Sequence, residues 1–368
     1  MPSCVEEIRK VLVLYTGGTI GMVKNDDGVY IPASNRFIQK IKSYPELHNE
    51  QVLSKYIEGI PEEDYLIMPQ IHNRNTILYT IKEYNPLLDS SNMSVDDWVR
   101  IVKDIESFYD YYDGFVILHG TDTLAYTASA LSFMLEDLQK AVIVTGSQIP
   151  IFEVRSDAKD NFLSSLIFAG CYKIPEVCVC FANQLLRGNR TVKFSSCNLE
   201  AFNSPNYGPL GIVGINFEVY PNNIAKINNT KTLKVYTEMS KNVAMIQLFP
   251  TISADMLIAF LKPPTMGVII ESYGIGNIPS KRADLLDVLV QAIKRDVIVV
   301  NITQCCQGTV DSTYETGKIL EQLGIIPGHD MTVEAALSKL SYVLGLSLSL
   351  TAKKQLMKTN LRGELTQH

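Results

Sequence analysis

Unbroken apolar runs alternate with amphipathic stretches along most of this chain. Residues 11–15 read Val-Leu-Val-Leu-Tyr, with no charged or strongly polar position among them, and stop at Thr16-Gly17-Gly18. A strand with one wet face alternates apolar and polar residues. A continuous run marks a strand covered on both faces, as in a parallel sheet. Residues 115–118, 141–145 and 177–181 read as strands too, and 77–84 forms a further strand that ends at Pro86. Trp98, Ile101, Val102, Ile105 and Phe108 recur at helical spacing. Ser94 precedes them as an N-cap and Asp97 completes an acidic capping box, so a helix starts here. Helices are also expected over 36–43, 123–135 and 157–169. Residues 22–33 are polar and carry a glycine, as a mobile loop does, and 45–75 are polar and irregular.

Strands alternating with helices through this first part imply right-handed βαβ units. Residues 203–229 hold most of the Pro, Gly and Asn of their neighbourhood and no strong helical pattern. They read as the tail of a first domain and a linker. A second alternating series follows, with strands at 243–249, 267–271 and 297–302 and helices at 253–261, 283–294, 332–345 and 352–360. At ~100–200 residues per domain, a chain of 368 residues suits two domains.

Composition narrows the class of function. Hydrophobic residues make up 46% and charged residues 20%, enough to bury a large core, which excludes wholesale disorder. A net charge of −6 lacks the basic footprint that nucleic-acid binding requires. The seven cysteines are odd in number, form no CxxC pair and have no histidine at ligand spacing, which argues against a zinc site. Cys178 and Cys180 lie inside the run VCVCFA, as small hydrophobes of a reducing compartment do. No apolar stretch reaches the ~20 residues of a membrane span. The amino terminus carries acids and no apolar core, so no signal peptide is expected. The expected address is therefore the cytoplasm, with no membrane partner, and the sequons at Asn189 and Asn301 would carry no sugar.

In open α/β sheets, ligands bind beyond the carboxyl ends of the strands. Those ends here read Thr16-Gly17-Gly18-Thr19-Ile20-Gly21, His119-Gly120-Thr121-Asp122-Thr123, Thr145-Gly146-Ser147-Gln148, Glu271-Ser272-Tyr273-Gly274 and Asn301-Ile302-Thr303-Gln304. TGGTIG lacks both GxGxxG spacing and the Lys-Ser/Thr of a phosphate-binding P-loop, which disfavours a nucleotide site. Gly17 and Gly18 instead let the backbone approach a ligand while Thr19 presents a hydroxyl. Thr121 offers a second hydroxyl beside an acid, Asp122. Alternatively, Thr121 or Asp122 simply caps the helix that follows. From the residues alone, both readings stand: a cap, or a small polar ligand site that could serve a hydroxyl-nucleophile hydrolase.

YTGGTIGM at 15–22, DSSNM at 89–93, DGFVILHGTDTLAYTASALSFML at 113–135, RGNRTVK at 187–193 and MTVEAALSKL at 331–340 resemble the cytosolic, bacterial type I-like L-asparaginases over essentially the whole chain. The fold this resemblance implies has a larger N-terminal domain with a mostly parallel sheet and a smaller C-terminal α/β domain. With the linker read above, the chain divides into 1–215, 216–235 and 236–368. The implied activity is hydrolysis of L-asparagine through a threonine nucleophile and a β-aspartyl intermediate, without metal or organic cofactor. Thr19 matches the nucleophile, Thr121 the second catalytic threonine, Asp122 its neighbouring acid and Lys193 the lysine paired with it. Ser90 and Ser91 match the loop that grips the substrate's α-carboxylate and α-amino groups, and Gly18 and Gly120 line the same pocket. Asn92 replaces an acid found in many relatives. Backbone N–H groups at the HGTDT turn would stabilise the oxyanion. The general base is open between Lys193, Tyr30 in the loop after the first strand, and Tyr314 in DSTYETG. Residues 22–33 would be a lid.

Effector-sensitive bacterial members carry an arginine before the SYG segment; here Glu271 stands there, so cooperativity with asparagine is expected to be weak or absent. The resemblance also implies a homotetramer built as a dimer of dimers. A glutaminase or mixed amidase is the nearest alternative, and a non-catalytic amino-acid sensor or a nucleotide-dependent oxidoreductase the more distant ones. His119 is expected to shape its turn, and His329 and Trp98 to be structural.

Overall fold

In a computed structural model of the protein, residues 8–53, 65–69, 75–227, 230–310 and 315–366 are described. The apolar runs form the centre of a nine-stranded sheet: β1 (Ile8–Gly17), β2 (Leu66–Met68), β3 (Thr76–Leu88), β4 (Gly114–Leu118), β5 (Ala141–Thr145), β6 (Val177–Phe181), β7 (Gln184–Arg187), β8 (Gly211–Val213) and β9 (Phe217–Val219). Their spatial order is β9-β8-β7-β6-β5-β4-β1-β3-β2. The central five, β3, β1, β4, β5 and β6, run parallel, and the outer strands are antiparallel. All five residues of β4, β5 and β6 are buried, the double-sided covering that their unbroken apolar runs imply. The α/β, two-part architecture expected from sequence is the observed one. A second, wholly parallel sheet holds β10 (Val243–Gln247), β11 (Gly267–Ser272), β12 (Ile298–Thr303) and β13 (Ile326–Pro327) in that order.

One helix joins the two units. Leu124–Met134 begins directly after the HGTDT turn and is buried at ten of its eleven positions. Such a helix has no wet face to spare. One side lies on the large sheet, and the other packs on Val333–Gly345 of the C-terminal unit, with Phe133 stacked on Tyr342 at 6.0 Å. Phe133, Met134, Leu340 and Val343 thus share a single core with Leu12, Val142 and Val300.

Several segments differ from the sequence expectation. β2 lies within 45–75, expected to be irregular, β3 runs through Pro86 to Leu88, and Glu315–Gln322 forms an unexpected helix. Residues 22–33 form a small hairpin, Met22–Lys24 with Tyr30–Pro32, whose turn is held by the Asn25 side chain accepting from Asp27 and Val29. Its strands are short and largely exposed, so no apolar period announces them. β7 follows β6 through Ala182 and Asn183, both at positive φ, the backbone of a tight hairpin turn without the usual glycine signal. β8 and β9 lie inside the Pro/Gly-rich stretch and extend the large sheet at its edge.

Candidate functional site

The carboxyl ends of β1, β3 and β4 are adjacent because these strands are parallel neighbours. Hydrogen bonds lock the ends in step. Thr16 Oγ1 donates to Leu118 O at 2.8 Å, His119 N to Thr145 O at 2.8 Å and Thr145 Oγ1 to Cys180 O at 2.6 Å. The turns beyond them then meet with no space between. A Cβ on Gly17 would fall 2.1 Å from Leu88 O. A Cβ on Gly18, at φ +87°, would lie 2.4 Å from both Cα and N of Gly120. A Cβ on Gly120 would sit 2.4 Å from Ser90 Oγ. Contacts that short are impossible for any side chain, so glycine is required at each position. Gly21 closes the first turn over the buried Tyr15 hydroxyl, 1.8 Å from where its Cβ would be. Thr19 and Thr121, each the residue immediately after its glycine, therefore flank one glycine-to-glycine contact, with Ser90 against it.

The helix after HGTDT has Thr123 as N-cap with no side-chain cap bond. Thr123 Oγ1 turns instead to Ser90 O at 2.7 Å and ties the DSSNM loop to the turn. Asp89 caps that loop, accepting from Ser91 N at 3.1 Å. Ser90 is buried, whereas Ser91 and Asn92 are exposed. Thr121 and Asp122 do not act as caps; both face Lys193. Lys193 Nζ donates to Thr121 Oγ1 at 3.0 Å and to Asp122 Oδ1 at 2.7 Å. The lysine thus occupies the acceptor side of the Thr121 oxygen, and the hydroxyl proton points to Gln148 Oε1 at 3.2 Å. Gln148 is fixed in turn: its Nε2 donates to Asn198 O at 3.1 Å and its N to Asp157 Oδ2 at 3.0 Å. The Asp122 side chain is 62% exposed and keeps an oxygen open toward solvent. Thr19 is half-buried, and among the described residues its hydroxyl has no hydrogen-bond partner.

His119 stays behind the turn. Burial lowers its pKa to about 4, so the ring is neutral and carries one N–H. Its Nδ1 lies 2.7 Å from Gly120 O, which can only accept, so the proton is on Nδ1. Nε2 then accepts from the Thr127 hydroxyl at 3.0 Å, and Thr127 Oγ1 accepts from Trp98 Nε1 at 3.0 Å. A directed chain of hydrogen bonds runs from Trp98 to the Gly120 carbonyl, which gives His119 and Trp98 the supporting roles expected of them.

Tyr30 is not brought onto either threonine. Its hairpin packs on the Thr19–Gly21 turn, but its hydroxyl donates to Glu153 Oε1 at 3.0 Å, beside the Lys24–Glu153 ion pair. Tyr314 lies outside the described residues. Glu271, the penultimate residue of β11, is partly buried, and desolvation raises its pKa. Sequence reasoning assigned no role to Gln148. It stands at a strand end already marked as ligand-facing, but a single glutamine carries no motif. Among the described residues, no group of three or more His, Cys, Asp or Glu could hold a metal ion, and no helix is long and apolar enough to cross a membrane.

Comparison with known proteins covers both units. The family model described as "Asparaginase, N-terminal" matches residues 10–225, and "Glutaminase/Asparaginase C-terminal domain" matches 242–357. The chain is 47% identical to an L-asparaginase of Dirofilaria immitis over 98% of its own length and 61% of that protein's. It is 44% identical to the 60 kDa lysophospholipase of Homo sapiens over 100% of its own length and 63% of that protein's. The chain thus spans about six tenths of the length of these two relatives. L-asparaginase 1 of Escherichia coli is 45% identical over 97% of this chain and 98% of its own. The crystal structure of L-asparaginase I from Vibrio cholerae superposes with a TM-score of 0.84 at 42% identity, covering 98% of this chain and 99% of that one.

The state of His119 has a measurable consequence. Its folded pKa, about 4, lies below the ~6.5 of an unfolded histidine, so between those values the native protein binds fewer protons than the unfolded chain. This residue's contribution is therefore fully present above pH ~6.5 and is withdrawn by roughly 1.4 kcal/mol per pH unit as pH falls toward 4. NMR titration of its ring is expected to be flat from pH 8 to about 5; a midpoint near 6.5 would contradict the neutral, chain-linked ring.

Proposed function

Because the chain belongs to the asparaginase family through both its N-terminal and its C-terminal module, we propose that it hydrolyses L-asparagine to L-aspartate and ammonia. The observation that carries this reading is the meeting of Gly18, Gly120 and Ser90 beside the Lys193–Thr121–Asp122 network. Asp122, with its exposed carboxylate, suits the substrate's α-ammonium. Ser90 and Ser91, with the N–H groups of their loop, suit the α-carboxylate, since neutral donors bind an anion without burying a second charge. The Thr19 oxygen attacks the side-chain carbonyl carbon as its proton passes to a base. Backbone N–H groups of the facing turns stabilise the resulting oxyanion, a contribution of ~3 kcal/mol per donor. The C–N bond then breaks, ammonia leaves with the transferred proton, and water cleaves the β-aspartyl ester to restore Thr19.

Thr121 acts as the second catalytic hydroxyl, oriented between Lys193 and Gln148. Lys193, Tyr30 and Tyr314 are the groups that could move the proton; Lys193, which donates to Thr121, would accept it only from its neutral amine form, and Tyr30 would first have to leave Glu153. Glutamine is the competing substrate. One methylene changes discrimination by only ~1–3 kcal/mol, so a glutaminase or mixed amidase is the alternative reading of the same site, with the resemblance favouring asparagine. A cytoplasmic location and a homotetrameric dimer of dimers go with it, as the sequence resemblance implies. Light scattering is expected to return about four times 41.1 kDa; a monomer mass would refute the assembly.

Thr19→Ala is expected to fold normally by circular dichroism and to lose at least ~100-fold in ammonia release from asparagine. With hydroxylamine present, the wild type is expected to yield β-aspartyl hydroxamate and the variant none. Near-normal turnover in Thr19→Ala would remove the nucleophile assignment. In the same assay, rate against asparagine concentration is expected to be hyperbolic, because Glu271 offers a carboxylate where an effector's own carboxylate would need a cation. A sigmoidal curve would overturn that expectation.

A further inference from the structure

After the helix Leu350–Lys358 the chain folds into a compact hook over 359–366. Glu364 is its centre. Its carboxylate accepts from Leu361 N at 3.0 and 3.1 Å and from Arg362 N at 2.7 Å, and pairs with Lys339 Nζ at 2.6 Å, both side chains being fully buried. Lys339 also donates to Met357 O at 3.1 Å and Thr359 O at 2.6 Å. The hook is thus held rigid from within the C-terminal unit.

Its outward carbonyls are spent on RGNR, in the other unit. Gly363 O accepts from Arg190 Nε at 2.7 Å and Arg187 Nη1 at 3.4 Å, and Arg362 O accepts from Asn189 Nδ2 at 3.0 Å. Gly363 has φ +82°, and a Cβ there would lie 2.4 Å from Arg187 Nη1, so the backbone lies directly against the guanidinium. Arg190 is buried and reaches further, to Asp330 Oδ2 at 2.8 Å and Thr366 Oγ1 at 3.3 Å. Thr366 completes the ring, donating from N to Asp330 Oδ1 at 2.8 Å and from Oγ1 to Asp330 Oδ2 at 2.6 Å.

Three residues after Arg190 comes Lys193. Its own strand, Val192–Lys193, has two residues and pairs only with Phe202–Asn203. So short a ladder fixes a backbone weakly, and a flexible lysine reaches a defined point only if its backbone is fixed. We propose that the 359–366 hook is the positioning element for Lys193: acting through Arg190 and Asn189, it sets the turn that aims the ammonium at Thr121 and Asp122. Arg190 and Thr366 are positioning residues here, and the inference rests on Lys193 and Thr121 serving the amide hydrolysis proposed above.

Two substitutions test it. Thr366→Val keeps the shape of an exposed residue and removes the hydroxyl that bridges Arg190 and Asp330. Gly363→Ala drives a methyl into Arg187 and is the stronger lesion; should it fail to fold, Thr366→Val carries the test. In Thr366→Val, kcat for asparagine is expected to fall about 5- to 10-fold while KM stays within about 2-fold, because misplacement far from the chemistry acts on turnover. The same substitution made in Lys193→Met is expected to change the residual rate hardly at all. A second readout needs no turnover. Acetylation of Lys193 by acetic anhydride, followed by peptide mass spectrometry, is expected to quicken about 3-fold or more in Thr366→Val as the lysine loosens from its partners. An unchanged kcat, an equal loss with and without Lys193, or unaltered Lys193 labelling would each overturn the positioning role. If the wild type releases no ammonia from asparagine, the amidase reading fails on that result alone, and the labelling still decides whether the hook holds the lysine.

Discussion

The site depends on an absence of side chains. Parallel neighbours β1, β3 and β4 end side by side, and their turns can interlock only because Gly17, Gly18 and Gly120 carry no Cβ. The contact is backbone on backbone, with Ser90 as the third party. It brings two turns about a hundred positions apart in sequence together, and each turn carries its threonine at the next position. A substitution at Gly18 or Gly120 would have to part strand ends that Thr16, His119 and Thr145 hold in step. Strain of this kind has nowhere to relax in a close-packed sheet.

Given that contact, the two hydroxyls are placed in different surroundings. Thr121 is held on both sides, accepting from Lys193 and donating to Gln148. Thr19 heads a half-buried turn whose backbone is bonded at Gly21 N and Ile20 O but whose hydroxyl has no partner among the described residues. A nucleophile must be free to rotate onto a carbon, whereas a hydroxyl that relays or polarises gains from being fixed. The asymmetry follows from the elements that carry them: a three-residue 3-10 turn at Thr19, and at Thr121 a turn backed by His119, Thr127 and Trp98.

The features legible in the sequence are those with a local cause. β5 and β6 and the helix capped by Ser94 follow from unbroken apolar runs and an acidic capping box, and all three are present. The turns bearing Thr19 and Thr121 stood out as glycine-flanked hydroxyls at strand ends, but the residues alone left a helix cap and a ligand site both open, and only the resemblance to the L-asparaginases chose between them. What was not visible lacks a local cause. The Ala182-Asn183 turn uses positive φ without glycine, so β7 was not expected. β9 is the edge strand of the large sheet and β8 its inner neighbour, both in a stretch whose prolines and glycines read as linker. Gln148 matters only through where Asp157 and Asn198 hold it, and Gly363 only through where Arg187 lies. Tertiary partners of that kind leave no periodicity behind.

Magnitudes decide what keeps Lys193 in place. Its ion pair with Asp122 joins side chains 22% and 62% exposed, a setting in which such pairs contribute ~0.2–1 kcal/mol. Immobilising a lysine costs up to ~2 kcal/mol of rotamer entropy. The pair alone therefore does not define the ammonium's position; the backbone must shorten the search before the side chain begins it. That backbone is fixed by groups that gain far more from their bonds: Arg190 beside Asp330 and Arg187 beside Glu176, both largely out of water, where removing one partner costs ~3–5 kcal/mol. Buried charge pairs contribute little net stability when complete but strongly penalise any arrangement that breaks them. That penalty suits Arg190–Asp330, which spans the two units, to registering one on the other, while Arg187–Glu176 holds the RGNR turn within its own unit; through that turn the register of the C-terminal unit becomes the aim of a lysine in the N-terminal one.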